Sequence, residues 1–203
     1  MKDKLIYLER YFNGSPYRER IRTISPLDAR KSKDLHKRRM KGGDRMTEHG
    51  YAETYARILS GRTVSNLVEV GILRGGGLAM WSVLFPSATV IGLDIDTSIF
   101  KRHLPELRRK GAFTHSFPEV RTFDQLRPSM AWAEGRKFDV VIDDGLHTDR
   151  AILSCFNAFL PHLSQDFIYF VEDNGTVHKK LQEIGGIVVE NFGLLTVIRR
   201  SDG

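Results

Sequence analysis

The sequence predicts a doubly wound α/β fold with a mostly parallel sheet of seven strands. Helices cover both faces of this sheet, and an antiparallel hairpin forms its last two strands. Two observations predict it. Short, almost entirely apolar segments recur along the chain, which is typical of strands buried on both faces. Amphipathic helical patterns separate these segments, and such alternation is typical of parallel strands joined by helical crossovers. Ligands of this fold bind beyond the carboxyl ends of the strands, so the polar residues there are candidate site residues.

The strands are predicted, in chain order, from apolar segments bounded by glycine or polar residues: 66–71 (NLVEVG), 88–94 (ATVIGLD), 112–116 (AFTHS), 137–143 (KFDVVID) and 166–172 (DFIYFVE). Helices are predicted where apolar residues recur every three or four positions: 51–60, 77–84, 98–110, a segment within 119–133, 148–163 and 177–184. The first helix ends at Gly61, a typical C-terminal residue. The hairpin is predicted over 187–189 and 194–199, because Asn-Phe-Gly between them supplies a turn.

The length of 203 residues predicts one full domain plus an appendage, at about 150 residues per domain. Because the regular alternation begins after two glycines at 42–43, residues 1–46 are predicted to be an N-terminal arm and 47–203 the main domain. Cys155 is the single cysteine, which excludes an intrachain disulfide. No apolar run reaches the roughly 20 residues of a membrane span, and the first residues lack a secretory signal pattern. We therefore expect a cytoplasmic protein without a membrane partner.

The positive charge is concentrated in the N-terminal arm. Residues 1–46 hold 14 Lys and Arg against 6 Asp and Glu, whereas the rest of the chain holds 17 against 19. The densest stretch, 30–41, has the charge to contact a phosphate backbone or another polyanion. It contains no aromatic residue for base stacking, which favours a solvated helix face. We expect the arm to form a lid over the substrate cavity or a contact within a homo-oligomer.

A glycine-rich turn after the first strand indicates a nucleotide-like ligand. Gly71 and Gly75 are spaced G-x-x-x-G, unlike the G-x-G-x-x-G of dinucleotide sites, and Glu69 before them suits a cationic ligand better than a pyrophosphate. S-adenosylmethionine is cationic and has no phosphate. Asp94 ends the second strand, where a carboxylate can accept both ribose hydroxyls. These four residues and Asp143 are the predicted cofactor-binding set; the alternative is a plain strand-to-helix turn.

Acidic residues and a histidine follow the fourth and fifth predicted strands. The fourth ends Asp143-Asp144-Gly-Leu-His147, and the fifth ends Glu172-Asp173. If these strands are neighbours, their ends lie about 5 Å apart and the carboxylates converge. So much negative charge requires a cation, and oxygen ligands without cysteine favour Mg²⁺. His147 could bind the metal, cap the next helix or act as a base near neutral pH.

The sequence resembles the magnesium-dependent class I S-adenosylmethionine O-methyltransferases of macrolide and rhamnosyl sugars, together with the cephalosporin hydroxylase-like group. The matching segments are 49–51 (HGY), 67–81 (LVEVGILRGGGLAMW), 91–96 (IGLDID), 140–147 (VVIDDGLH) and 169–173 (YFVED). The resemblance implies a Rossmann-like fold, a magnesium site formed by Asp144, Glu172 and Asp173, and catalytic roles for Asp144 and for His147 as the base.

The predicted reaction is transfer of the methyl group of S-adenosylmethionine to a hydroxyl of a sugar or glycosylated small molecule. An alcohol is a poor nucleophile at pH 7, so a Mg²⁺-assisted deprotonation by His147 is expected. Three alternatives stay open. A nucleic-acid methyltransferase would use the basic arm as a clamp, and its binding would depend strongly on salt. The others are an adenosyl- or nicotinamide-dependent oxidoreductase, which the glycine spacing disfavours, and a non-catalytic binding module.

Overall fold

The structure, a computed structural model, describes residues 1–13 and 43–201, so the basic stretch 30–41 lies outside the described residues. The described chain forms one sheet of seven strands in the order β3-β2-β1-β4-β5-β7-β6. The strands are β1 (Asn66–Val70), β2 (Thr89–Asp94), β3 (Glu119–Thr122), β4 (Phe138–Asp143), β5 (Leu163–Val171), β6 (Ile187–Phe192) and β7 (Leu195–Arg200). Strands β1 to β5 pair in parallel, and β7 pairs antiparallel with β5 and β6. The predicted doubly wound fold with a closing hairpin is confirmed.

Six α-helices are found in the described residues: α1 (Lys2–Asn13), α2 (Ala52–Leu59), α3 (Gly76–Leu84), α4 (Ser98–Arg109), α5 (Asp149–Phe159) and α6 (His178–Leu181). Short 3-10 turns form at Ala131–Ala133 and Leu160–His162. Within residues 1–13 and 43–201, no helix has the length and apolar character needed to cross a membrane.

Two predictions between α4 and β4 are wrong. The segment 112–116 is not a strand: Phe113 has a left-handed φ of 62° and packs inward with Ala112. The third strand is instead Glu119–Thr122, where a helix was predicted. This strand lies at the sheet edge, is half exposed and reads EVRT, so it lacks the continuous apolar pattern of the central strands.

The end of the predicted helix 148–163 is also corrected. The helix ends at Phe159, because Pro161 cannot continue the backbone hydrogen-bond pattern, and a 3-10 turn follows. Strand β5 consequently begins at Leu163 rather than at residue 166. The predicted helix 177–184 is limited to His178–Leu181.

The sheet is buried on both faces. Tyr55 and Trp81 pack with Phe170 on one face, where α2 and α3 lie, and Phe156 of α5 packs with Tyr169 on the other. Helix α1, within the predicted arm 1–46, contacts α2 and α3. It buries three apolar side chains in the hydrophobic core on that face of the sheet: Leu5, Leu8 and Phe12. The described part of the arm is therefore packed onto the domain, while its roles as lid or oligomer contact stay predictions.

The strand order brings the carboxyl ends of β1, β4 and β5 together. Strand β1 lies between β2 and β4, so the chain reverses its winding direction beside β1. Val70 is paired with Asp143, and Asp143 with Val171. The condition stated for the convergence of the carboxylates, that the fourth and fifth strands are neighbours, is therefore met. The residues that follow these strands consequently lie at the switch point, where ligands bind in this fold.

Candidate functional site

The glycine turn between β1 and α3 packs tightly against the loop after β4. Gly71 has a φ of 86°, and its N–H donates to the carbonyl of Leu93 at 2.7 Å. A Cβ at Gly71 would lie 2.1 Å from the backbone oxygen of Asp144. Gly75 precedes α3 with a φ of 84°, and a Cβ there would meet the ring of Phe100 at 2.4 Å. Both predicted glycines are thus required by a positive φ and by close contact.

Gly71→Ala is expected to destabilise the protein more than Gly61→Ala and to weaken S-adenosylhomocysteine binding. Both glycines have positive φ, which costs an L-residue about 1–2 kcal/mol, but a Cβ at Gly61 meets nothing within 4 Å. The difference between the two therefore isolates the contact with the Asp144 backbone. Thermal unfolding and calorimetric titration measure the two effects. Equal melting temperatures for the two variants would contradict the tight packing of the turn.

Asp94 holds the glycine turn from the end of β2. Its Oδ2 accepts hydrogen bonds from the backbone N–H of Ile72 at 2.9 Å and of Leu73 at 3.0 Å. Its Oδ1 accepts from the N–H of Asp96 at 3.0 Å. The structure thus brings Asp94 beside the predicted cofactor turn, where it fixes the backbone. Its contact with a ribose stays a prediction.

Arg45, which sequence reasoning missed, lies among three of the acidic residues with only 11% of its side chain exposed. Nη2 of Arg45 is 2.7 Å from Oε1 of Glu69 and 2.6 Å from Oδ2 of Asp144, and its Nε is 3.3 Å from Oε2 of Glu172. Burial lowers the pKa of Arg45, but the three carboxylates outweigh it and raise that pKa well above its ordinary value. Burial raises the pKa of Glu69 to about 7, although Arg45 opposes the shift. Arg45 is therefore a fixed positive charge within the acidic cluster.

Asp144, His147 and Asp173 form a group with the geometry of a cation site. One ligand atom from each lies within 4.8 Å of the others. Nε2 of His147 is 3.8 Å from Oδ1 of Asp144. His147 and Asp173 have left-handed φ angles of 58° and 55°, a conformation that non-glycine residues adopt at a cost and that is found often at functional sites.

A hydrogen bond fixes the imidazole of His147. Its Nδ1 is 3.3 Å from the carbonyl oxygen of Glu172. Because a carbonyl only accepts, Nδ1 is the donor, and in the neutral imidazole this leaves the lone pair on Nε2, on the side of Asp144. The side-chain amide of Asn174 donates to the carbonyl of His147 at 3.0 Å and holds the loop. The imidazole is therefore oriented to accept a proton or to bind a cation at Nε2.

Two donors from the segment before α2 contact the carboxylate of Asp173. The hydroxyl of Tyr51 donates to its Oδ1 at 2.8 Å, and Nδ1 of His49 lies 3.0 Å from the same atom. Burial raises the pKa of Asp173, but the hydrogen bond from His49, the proximity of the His147 imidazole and the hydrogen bond from Tyr51 together lower it to about 2. The hydrogen bond to Asp173 is the largest of the effects that raise the pKa of His49 to about 10. Asp173 is thus an ionised carboxylate at neutral pH.

The carboxylate of Glu172 lies toward α2. It is 1% exposed, and its Oε1 accepts a hydrogen bond of 2.5 Å from the hydroxyl of Tyr55. Burial raises its pKa well above the ordinary value, although Arg45 opposes this. Glu172 therefore adjoins the group formed by Asp144, His147 and Asp173, while its predicted role as a metal ligand stays a prediction.

Asp143 stabilises the loop that follows β4. It is fully buried, and its two carboxylate oxygens accept from Nε2 of Gln125 at 2.5 Å and from the hydroxyl of Tyr169 at 3.0 Å. Burial raises its pKa to about 6. The same Gln125 accepts from the N–H of Leu146 at 2.6 Å. This network positions the loop that carries Asp144 and His147, and the predicted cofactor contact of Asp143 stays a prediction.

Sequence reasoning missed Arg45, Tyr55 and Gln125, and it noted Tyr51 only within the matching segment 49–51. A signal existed for the tyrosines: residues four apart at the start of an amphipathic helix lie on one face. No local pattern distinguishes Arg45 from the other charged residues of the arm.

A cavity of about 60 Å³ separates the glycine turn from the end of α1 and the segment 43–45. Its charged and glycine lining residues include Arg45, Glu69, Gly71, Arg74, Gly77 and Asp144. Asp144 thus lines the cavity and also belongs to the group with His147 and Asp173. The predicted cofactor pocket and the predicted metal site are therefore adjacent, with Asp144 common to both.

The chain is similar in sequence to several O-methyltransferases, although no model of a protein family matches it. It is 34% identical over 109 residues to mycinamicin VI 2''-O-methyltransferase of Micromonospora griseorubida, covering 51% of this chain and 24% of that protein. It is 31% identical over 149 residues to 8-demethyl-8-alpha-L-rhamnosyl tetracenomycin-C 2'-O-methyltransferase of Streptomyces olivaceus, covering 65% and 35%. The chain thus spans about a quarter to a third of the length of these relatives.

Solved methyltransferases share the fold. The methyltransferase of the mycinamycin biosynthetic pathway, crystallised with Mg, S-adenosylhomocysteine and mycinamycin VI, superimposes with a TM-score of 0.58 at 21% identity, over 76% of this chain and 50% of that chain. A methyltransferase of Podospora anserina bound to S-adenosylhomocysteine gives a TM-score of 0.63 at 13% identity, over 98% and 88%. The chain therefore has the fold of class I S-adenosylmethionine methyltransferases.

Proposed function

We propose that this chain transfers the methyl group of S-adenosylmethionine to a hydroxyl of a sugar or glycosylated small molecule, with Mg²⁺ as the metal. The observation that carries the proposal is the shared position of Asp144. This residue lines the cavity at the glycine turn and also forms the candidate cation group with His147 and Asp173. A methyl donor in the first site and a hydroxyl at the second would therefore be neighbours, as methyl transfer requires.

The residues fit both bound groups. The carboxylates of Asp144 and Asp173 offer oxygen ligands without sulfur, a donor set that suits Mg²⁺ with water in the remaining positions and leaves Nε2 of His147 available as the base. At the other site, Gly71 lines the cavity without a side chain, and the buried carboxylate of Glu69 suits a cationic ligand. Similarity to relatives that methylate glycosides supports the acceptor class.

The protein's own groups supply orientation and proton transfer. A divalent cation, when bound, lowers the pKa of a neighbouring acceptor hydroxyl. His147 accepts the proton of that hydroxyl at Nε2, because its Nδ1 hydrogen is committed to the carbonyl of Glu172. His49 and Tyr51 hold Asp173 ionised, and Arg45 pairs with the carboxyl groups of Glu69, Asp144 and Glu172. S-adenosylmethionine, held at Glu69 and the glycine turn, would supply the methyl group, and S-adenosylhomocysteine would be the leaving group.

The proposal is tested by incubating the protein with S-adenosylmethionine, Mg²⁺ and a panel of glycosides, with RNA as a parallel acceptor. We expect mass spectrometry to show a gain of one methyl on a glycoside. Methylation of RNA alone, with binding that weakens steeply as salt rises, would instead support the nucleic-acid alternative suggested by the basic arm.

Asp94→Ala is expected to weaken binding of S-adenosylhomocysteine at least about 10-fold. Hydrogen bonds to a charged acceptor contribute about 1.5–3 kcal/mol each, and the carboxylate is expected to hold the ribose as well as the turn. Calorimetric titration measures the affinity. Asp96→Ala is the matched control, because its Oδ1 accepts from the N–H of Ser98 at the start of α4. Unchanged affinity in Asp94→Ala would remove this residue from the cofactor site.

A further inference from the structure

Two buried atoms of opposite charge lack a hydrogen-bond partner among the described residues: Oε2 of Glu69 and Nη1 of Arg45. The side chains are 1% and 11% exposed. Both residues line the cavity at the glycine turn. Because an unsatisfied buried charged group is costly, such atoms normally find a partner in protein, water or a ligand.

The guanidinium of Arg45 is held so that only Nη1 remains free. Its Nη2 lies between Glu69 and Asp144, and its Nε faces Glu172. Other contacts fix the backbone that follows, since the carboxylate of Glu9 in α1 accepts from the N–H of Met46 at 2.8 Å and from that of Thr47 at 3.0 Å. Glu9 itself is 2% exposed. Helix α1 therefore places a preorganised donor at the cavity.

The pair of free atoms matches a zwitterion. An ammonium group would donate to Oε2 of Glu69, and a carboxylate would accept from Nη1 of Arg45. The amino acid end of S-adenosylmethionine and S-adenosylhomocysteine carries both groups. The cavity of about 60 Å³ is several times the roughly 10–15 Å³ that one water needs, so it offers room for a polar end group.

We infer that Arg45 is a cofactor-binding residue, whose Nη1 donates to the carboxylate at the amino acid end of S-adenosylmethionine while Glu69 accepts from its ammonium. This inference rests on the proposed function. It also makes α1 part of the cofactor site, because Glu9 holds the backbone next to Arg45.

A double-mutant cycle between protein and ligand tests the contact. Wild-type protein and Arg45→Lys are titrated calorimetrically with S-adenosylhomocysteine and with its decarboxylated analogue, which keeps the amine and the nucleoside. Lysine retains a positive charge among Glu69, Asp144 and Glu172 but lacks the second donor of the guanidinium fork. We expect the wild type to bind S-adenosylhomocysteine about 10- to 100-fold more tightly than the analogue, and Arg45→Lys to lose most of that preference.

Arg10→Lys is the matched control, because Arg10 is an exposed arginine of α1 that does not line the cavity; it should keep the wild-type preference. Retention of the preference in Arg45→Lys would overturn the inference. Equal affinity of the wild type for the two ligands would also overturn the inference, because it would indicate that water contacts Nη1 of Arg45 and Oε2 of Glu69. This result does not depend on the folding of any variant. Absence of any S-adenosylhomocysteine binding to wild-type protein would instead contradict the proposed function itself.

Discussion

Replacing His147 with alanine is expected to lower kcat about 10²–10⁴-fold, the usual range for loss of a general base. The physical reason is the fixed imidazole: Nδ1 donates to the carbonyl of Glu172, so Nε2 is free to accept the proton of the acceptor hydroxyl. Affinities for S-adenosylhomocysteine and for Mn²⁺, used as a spectroscopic substitute for Mg²⁺, should stay near the wild-type values. Initial rates and binding titrations on the same preparation separate these effects.

The binding data distinguish two roles of His147. Its Nε2 also lies within the group of atoms from Asp144 and Asp173 that could hold a cation. A loss of Mn²⁺ affinity that parallels the loss of kcat would make His147 a metal ligand and contradict its role as base. His115→Ala is the control, because His115 is an exposed histidine in the segment between α4 and β3.

The meeting of the acidic strand ends could be predicted from sequence because it follows from parallel pairing. Once β4 and β5 are neighbours, Asp144 and Asp173 must both lie at the carboxyl ends of the parallel strands. The sequence also allows the prediction that the side chains of Asp143 and Asp144 point to opposite faces of the sheet, since successive side chains along a strand alternate between faces. Asp143 contacts Tyr169 on one face, whereas Asp144 contacts Arg45 on the other.

The contacts from the N-terminal segment could not be predicted in the same way. Arg45 reaches Asp144, which is 99 residues away in the chain, and Glu9 reaches Met46 across a segment with no periodic apolar pattern. A charged side chain in a basic region is usually solvated, so composition indicated a surface arm rather than a buried ion pair. The polar edge strand β3 escaped detection for a related reason, because its stabilisation comes from pairing with β2 and not from an apolar face.

The proposed magnesium site is expected to depend on Asp173 more selectively than on Asp144. Asp144 also lines the cofactor cavity and pairs with Arg45, whereas Asp173 is bonded by Tyr51 and His49 and is absent from the cavity lining. Asp173→Asn should therefore weaken Mn²⁺ binding and lower kcat about 10²-fold or more, because even partners of metal ligands contribute about 10- to 100-fold. S-adenosylhomocysteine affinity should change little.

Paramagnetic titration with Mn²⁺ and initial rates after dialysis against EDTA measure the metal dependence. The wild type should lose activity on dialysis and regain it when Mg²⁺ is added, whereas Asp173→Asn should recover only at far higher Mg²⁺. Asp166→Asn is the control for the change in charge, because Asp166 is exposed near the opposite end of β5. Full wild-type activity after dialysis, without added Mg²⁺, would overturn the metal role even if methyl transfer were established. Equal Mn²⁺ affinities in wild type and Asp173→Asn would instead shift the site toward Glu172, whose carboxylate would have to leave Tyr55 and Arg45 to bind the ion.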